Sequence, residues 1–256
     1  AGMEAAITAR RRGHSVTVFD KADKIGGNLA AYAANDLARP ADLQSVIDYY
    51  GVMAKKLGVE VRLNTEANAK FMRSVLHEYD ACIVAAGART DMEVFRYMPG
   101  AELLIDALEI AHGRKTVGKR VVMIGGGMIG LTIAEFLQKA GHEVTVVEKE
   151  KRVGGDIMPT FKWRHTAWVD ELGIETVCSA ELVKVTAEGA TVKAAKGGER
   201  FIPCDNVIVS SPRRANHDLF YEFQWMVDEL HGGGDATVPR GLDAAIQEGY
   251  KLGVRI

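Results

Sequence analysis

Apolar and polar positions alternate along this chain in two rhythms, a short β rhythm and a longer helical one, in regular succession. Met3, Ala6, Ile7 and Ala9 recur at helical spacing and predict a helix over 2–12, crowded at its end by Arg10–Arg12 and stopped by Gly13. A strand follows over 15–20. The stretch 39–58 predicts a helix, with Pro40 suited to its first turn and Gly58 to its stop. A strand over 59–63, a helix over 68–79 and a buried strand over 80–88 complete the first part. From Lys119 the rhythm restarts, with a strand over 119–124, a helix over 129–140 and a strand over 142–148. The next helix, 161–173, carries Phe161, His165, Trp168 and Leu172 on one face. Strands are predicted at 174–178, 181–187, 190–195, 200–202 and 205–211. A glycine turn then leads to a last helix beginning near Arg240. Such alternation predicts an α/β protein with parallel sheets and right-handed crossovers.

The restart is a repeat. Residues 2–27, "GMEAAITARRRGHSVTVFDKADKIGG", align without gaps on residues 130–155, "GLTIAEFLQKAGHEVTVVEKEKRVGG". Gly2 meets Gly130, Gly13-His14 meets Gly141-His142, Asp20 meets Glu148, and Gly26-Gly27 meets Gly154-Gly155. The second copy opens on a strand that runs into Gly125, Gly127 and Gly130, a G-x-G-x-x-G turn. Glu148 lies 18 residues beyond Gly130 at the end of the next strand. This is the pattern of a dinucleotide-binding βαβ unit. The first glycine permits the tight turn, the second admits a pyrophosphate, and the third lets helix and strand pack closely. Amides at the helix start then face the phosphates, and the acid accepts hydrogen bonds from a ribose. Gly2 corresponds only to the third glycine, so the first copy is expected to lack its strand and two glycines. That makes the chain, on this expectation, a piece of a longer protein and inactive by itself. One arrangement suits the order of elements: the second unit is inserted into the first, with 1–112 and 212–256 forming one domain and 113–211 the other.

Composition narrows the function. With 47% hydrophobic and 26% charged residues the chain has the profile of a globular protein, and a net charge of −2 gives no case for nucleic acid or an anionic membrane. Its longest apolar run, 121–134, is too short to span a bilayer and contains four glycines. Cys82, Cys178 and Cys204 are scattered, which predicts no metal site, no disulfide framework and, most simply, a cytoplasmic location. Seven histidines share no spacing, and no Ser/His/Asp or Cys/His set declares itself, so no catalytic side chain is singled out.

The phrases "AGMEAA", "GHSVTVFDKADKIGGNL", "RVVMIGGGMIGLTIAEFL", "GHEVTVVEK" and "GDATVPRGLDAAIQEGY" resemble the two-dinucleotide-domain flavoproteins of the glutathione-reductase-like fold. More narrowly they resemble the C-terminal region of the NADH:flavin oxidoreductase, 2,4-dienoyl-CoA reductase and 2-enoate reductase family. The resemblance implies FAD on the first domain and NADH or NADPH on the second. In full-length relatives it also implies a preceding barrel with FMN and a 4Fe-4S cluster, where a small-molecule substrate has an activated C=C bond reduced. Homo-oligomers are compatible with it. Carried over by position, Gly2, Met3, Asp20, Lys21, Gly26, Gly27, Asn28, Leu29, Ala67, Ala86, Gly87, Asp235 and Arg240 would meet FAD. Gly125, Gly127, Met128, Ile129, Gly130, Glu148 and Lys149 would meet the nicotinamide nucleotide. Asp235 could equally be a helix N-cap, and the two roles can hold together. Two departures stand out: "AAG" where relatives usually show "ATG", and "VSSPRRAN" in place of an "ALGRRPN"-like run. The absence of a CxxC argues against disulfide reduction, which needs an attacking and a resolving thiol. Glu148 favours NADH, because a carboxylate repels a 2′-phosphate, while Lys149, Lys151 and Arg152 keep NADPH open. A different class of function also fits the pattern: a non-catalytic module holding ADP for structure, as in trimethylamine-dehydrogenase-like proteins.

Overall fold

The structure, a computed structural model, describes residues 1–35 and 40–256; Arg39, which opens the predicted helix 39–58, lies outside the described residues. Along the chain the first elements are α1 (Gly2–Arg11), β1 (Thr17–Phe19), α2 (Asn28–Asn35), α3 (Pro40–Leu57), β2 (Glu60–Arg62), α4 (Ala69–Val75), β3 (Ala81–Val84) and β4 (Ala88–Thr90). There follow β5 (Leu104–Asp106), α5 (Ala107–Ala111), β6 (Arg120–Ile124), α6 (Met128–Lys139), β7 (Glu143–Glu148), α7 (Pro159–Glu171) and β8 (Glu175–Cys178). The last are β9 (Ala180–Thr186), β10 (Gly189–Ala194), β11 (Glu199–Pro203), β12 (Asn206–Val209), β13 (Arg213–Ala215), α8 (Asp218–Phe223), β14 (Glu229–Gly232) and α9 (Leu242–Arg255). They divide into two compact units, one of Ala1–Ala30, Ala41–Arg89 and Arg214–Ile256, the other of Ala31–Pro40 and Thr90–Arg213.

The second unit is built on a five-stranded sheet of order β5-β12-β6-β7-β8, parallel throughout. Its central strands β6 and β12 carry unbroken apolar runs because both faces are covered there. On one side Val121, Met123, Val144, Val146 and Ile208 pack with Leu131, Ile133 and Ala134 of α6. On the other, Val122, Val147 and Val209 pack with Leu182, Val185 and Val192 of an antiparallel β9-β10-β11 sheet. Each large aliphatic side chain so buried contributes roughly 1.5–3 kcal/mol. The antiparallel sheet departs from the all-parallel expectation: its strands are joined by tight turns, too short for a crossover.

Glu135 of α6 and His165 of α7 form a pair inside this unit, with His165 Nδ1 2.8 Å from Glu135 Oε1. Their side chains are only 1% and 5% exposed. His165 therefore does pack inward from its helix, but onto a carboxylate.

The first unit contains two parallel strand pairs, β1-β2 and β14-β3. Helix α9 lies against α1 at backbone contact: a Cβ on Gly249 would stand 2.4 Å from the Ala1 carbonyl oxygen, and one on Gly253 2.5 Å from that of Ala5. Glycines four residues apart on α9 permit this approach. Helix α3 is tied to α1 through Tyr50, whose hydroxyl donates to Glu4 at 2.9 Å. Burial, then this bond, pushes the Tyr50 hydroxyl above its ordinary pKa.

Several boundaries differ from the sequence expectations. The second unit takes in Ala31–Pro40, expected in the first domain, and its main stretch starts at Thr90 rather than 113, because β5 is the edge strand of its sheet and Ala107, Ile110 and Ala111 are buried in its core. It ends at Arg213 rather than 211. The stretch after Gly27, to which the hydrophobic pattern assigns no element, forms α2, where buried Asn35 donates to the carbonyls of Ala31 at 2.7 Å and Ala111 at 3.0 Å. The helix expected over 68–79 tightens after Val75 into a 3-10 turn, Leu76–Glu78. Strands β4, β5, β13 and β14 are three or four residues long, too short for periodicity to reveal.

Candidate nucleotide-binding sites

In the second unit the G-x-G-x-x-G turn sits between β6 and α6. Gly125 adopts φ +101°, a left-handed conformation that favours glycine. A Cβ on Gly130 would stand 1.9 Å from the Gly125 carbonyl oxygen, so the third glycine is where helix meets strand. Ser210, one residue past β12, locks the turn by donating to the carbonyls of Ile124 at 3.0 Å and Gly125 at 3.1 Å. Sequence reasoning passed over Ser210 as a departure; the usable signal was a hydroxyl at the end of a buried apolar strand.

Glu148, at the end of β7, turns back onto this loop. Its Oε2 accepts the Gly126 amide at 2.6 Å and its Oε1 the Glu150 amide at 2.9 Å. The α6 N-terminus is capped from outside its own chain neighbourhood: Met128 N–H donates to Asp156 Oδ1 at 2.9 Å. These two carboxylates sit where the amides and the helix dipole favour negative charge. Gly125, Gly127, Met128, Ile129 and Gly130 all lie in this turn or the first turn of α6, while Lys149 is exposed beyond Glu148.

The first unit repeats part of this geometry. Asp20 Oδ1 accepts the Ala22 amide at 2.9 Å, the same bond over two residues that Glu148 makes to Glu150. Thr17 Oγ1 donates to Glu60 at 3.1 Å across β1-β2, as Thr145 does to Glu175 at 3.3 Å across β7-β8. The aligned residues therefore fold alike, down to individual hydrogen bonds.

The residues expected to meet FAD all belong to the first unit. A Cβ on Gly2 would stand 3.3 Å from Ala85 Cβ, which sets the start of α1 beside the end of β3. Gly233 N–H donates to the Val84 carbonyl at 3.1 Å, bringing the following Asp235 to the same strand end. Ala86 and Gly87 follow directly. Their carbonyls accept the side-chain amide and backbone amide of Asn216, at 3.0 and 2.9 Å. Asn216 is a second residue missed from the sequence, although the "RAN" that holds it was noticed. Asn28 Nδ2 donates to the Ala88 carbonyl at 2.9 Å, joining the start of α2 to this loop. Met3 packs toward Ala6 and Ala54, so its side chain serves the core. Ala67 lies just past Thr65, whose amide donates to the Asp20 carbonyl at 2.8 Å. Lys21 is exposed beside Asp20; Gly26 and Leu29 are half-buried around it in the chain, and Gly27 is exposed.

Asp235 does not cap α9, whose cap is Gly241; its Oδ1 instead accepts the Arg240 amide at 3.0 Å. The Arg240 guanidinium is engaged by Glu248, which also accepts the Gly234 amide at 2.7 Å. Arg240 and the Gly234 amide hold the Glu248 carboxyl below the usual range. Glu248 thus braces the Gly234–Asp235 turn from α9.

The three cysteines are free. Burial pushes the Cys82 thiol up to about 11, and raises that of Cys204 as well. A protonated thiol is a poor nucleophile.

Fold and turn geometry together define an α/β protein of two units, one with a complete glycine-turn βαβ motif of the dinucleotide-binding kind and the other with part of it. The chain belongs to the pyridine nucleotide-disulphide oxidoreductase family, whose model matches residues 1–234. It is 30% identical to a cinnamate reductase of Clostridium sporogenes over its whole length, covering 38% of that protein. It is 26% identical to a metal reductase of Desulforamulus reducens, covering 42%. Among solved structures, a 2-naphthoyl-CoA reductase complex superposes with a TM-score of 0.91 at 30% identity, over 99% of this chain and 38% of that one. The chain thus spans about two-fifths of these relatives' length. No helix among the described residues is long and apolar enough to cross a membrane.

Proposed function

We propose that the first unit holds FAD, that the second holds NADH or NADPH, and that the chain handles the reductant for an enzyme reducing an activated carbon–carbon double bond. When bound, nicotinamide and flavin would supply the hydride chemistry, and a barrel domain of the longer protein would hold the 4Fe-4S cluster and FMN that supply electron transfer toward a small-molecule substrate. On this reading the 256 residues reduce no alkene alone.

The residues present fit those groups. The Met128 amide and the start of α6 suit a pyrophosphate, while Glu148, steadied by the Gly126 amide, would accept from a ribose hydroxyl and disfavour a 2′-phosphate. Nothing stands within 4 Å of a Cβ built on Gly27 or Gly87, so backbone there is open to a ligand. Asp20 would take the ribose of the first nucleotide, and Asp235 a ribityl hydroxyl directly or a phosphate through a bridging water. No side chain is needed as acid or base, because a hydride moves without a proton.

The observation that carries the reading is the matched pair of strand-end acids, Asp20 and Glu148, each fixed by the amide two residues on. Cinnamate and 2-naphthoyl-CoA, named in two relatives, both carry unsaturated carbon conjugated to a carbonyl. The test is spectroscopic. Full-length protein should be yellow with flavin, and anaerobic NADH should bleach it faster than NADPH. A colourless protein retaining an adenine nucleotide, inert to both, would defeat the proposal.

A further inference from the structure

The amide that should receive a pyrophosphate is already occupied. Met128 N–H, the first of α6, points at Asp156 Oδ1. Both oxygens of that carboxylate also stand over Gly127, 2.8 and 2.9 Å from where a Cβ would be. The segment carrying Asp156 is fastened on both sides. Gly154 N–H donates to the Gly126 carbonyl at 2.7 Å, and Val153 covers Gly126, its Cγ1 2.6 Å from the position of a Cβ there. Beyond it, Ile157 is buried in the core. Asp156 itself is exposed. Its carboxylate can swing into solvent by side-chain rotation while the fastened backbone stays.

We infer that Asp156 is a built-in competitor for the nicotinamide dinucleotide, its carboxylate occupying the pyrophosphate position at the start of α6 and leaving as the nucleotide enters. The inference rests on the reading of the second unit as the NAD(P)H site. A carboxylate and a pyrophosphate oxygen seek the same amide and the same helix end, so they exclude each other by charge and by space. Nucleotide binding must first displace Asp156, which lowers apparent affinity by the fraction of molecules in which it is latched. Without it the turn waits open.

The test is calorimetric titration of FAD-loaded full-length protein with ADP-ribose, which carries the pyrophosphate but no redox ring. Asp156→Ala should bind roughly two- to fivefold tighter than wild type, the range expected for one anion removed from a helix start. Asp156→Asn should shift in the same direction. Glu150→Gln, which removes one exposed negative charge from the segment after β7 but no latch and keeps the backbone amide that Glu148 accepts, should leave affinity unchanged. A purely structural cap would instead lower the melting temperature of Asp156→Ala without tightening binding. Unchanged or weaker binding by Asp156→Ala, or an equal gain in Glu150→Gln, overturns the inference and leaves the nucleotide site standing. Failure of wild type and every variant to bind ADP-ribose removes the site itself, and the inference with it.

Discussion

Replacing Gly130 by alanine puts a methyl carbon 1.9 Å from the Gly125 carbonyl oxygen and 2.7 Å from Ser210 Oγ. Heavy atoms rest about 3.5 Å apart at best. The overlap is with backbone, so no rotamer relieves it; α6 must lift from β6. Lifting α6 strains the two bonds from Ser210 to Ile124 and Gly125 and loosens Leu131 and Ile133 from the sheet. Overpacking of this kind costs about 3 kcal/mol, against which alanine's helix propensity returns less than about 1. The aligned Gly2 offers a control: its Cβ would stand 3.3 Å from Ala85 Cβ, a contact that relaxes with a few tenths of an ångström. Gly130→Ala should therefore cost a net of about 2–3 kcal/mol and lower the melting temperature by roughly 4–12 °C, and Gly2→Ala by much less. Differential scanning calorimetry of the two variants reads this directly. A Gly130→Ala protein melting with wild type would show that close packing of helix on strand is not why glycine stands there.

Three other outcomes follow from the same structure. His165→Ala should destabilise by about 3 kcal/mol or more, since it strips a partner from a deeply buried carboxylate, whereas the double change Glu135→Leu/His165→Leu should recover much of the loss; urea titration distinguishes them. Glu248→Gln should melt below wild type at neutral pH. Because the folded carboxyl titrates below its ordinary 4.5, its stabilisation is present above that value and fades as pH falls through the lower folded value, so the two melting curves should converge in acid. Glu148→Ala should shift the ratio of NADPH to NADH affinity upward by roughly fivefold, the worth of about 1 kcal/mol of repulsion, as read by competition binding.

The central unit was legible because its signals are local. Gly125, Gly130 and Glu148 fall at spacings that only a strand, turn, helix and strand satisfy, and the repeat supplied an internal check. The order of elements likewise announced the parallel five-stranded sheet, though not the antiparallel β9-β10-β11 sheet packed on it. What escaped lies in pieces too short or too polar to show a period. β5 and α5 joined the second unit only because Leu104, Ile105 and Ile110 are buried in its core, a fact of packing rather than pattern. Asn216 and Ser210 act through carbonyls 130 and 86 residues away along the chain, at Ala86 and Ile124.

Sequence by itself determined the two repeats, the strand-end acids they share and the family, since glycine, apolar runs and strand-end carboxylates each have a narrow steric or electrostatic use. Only the tertiary structure decided where the units divide, which polar groups brace the turns, and that Asp156 stands on the α6 amide. Those outcomes depend on which distant segments share one space, and residue spacing along a chain carries no record of that.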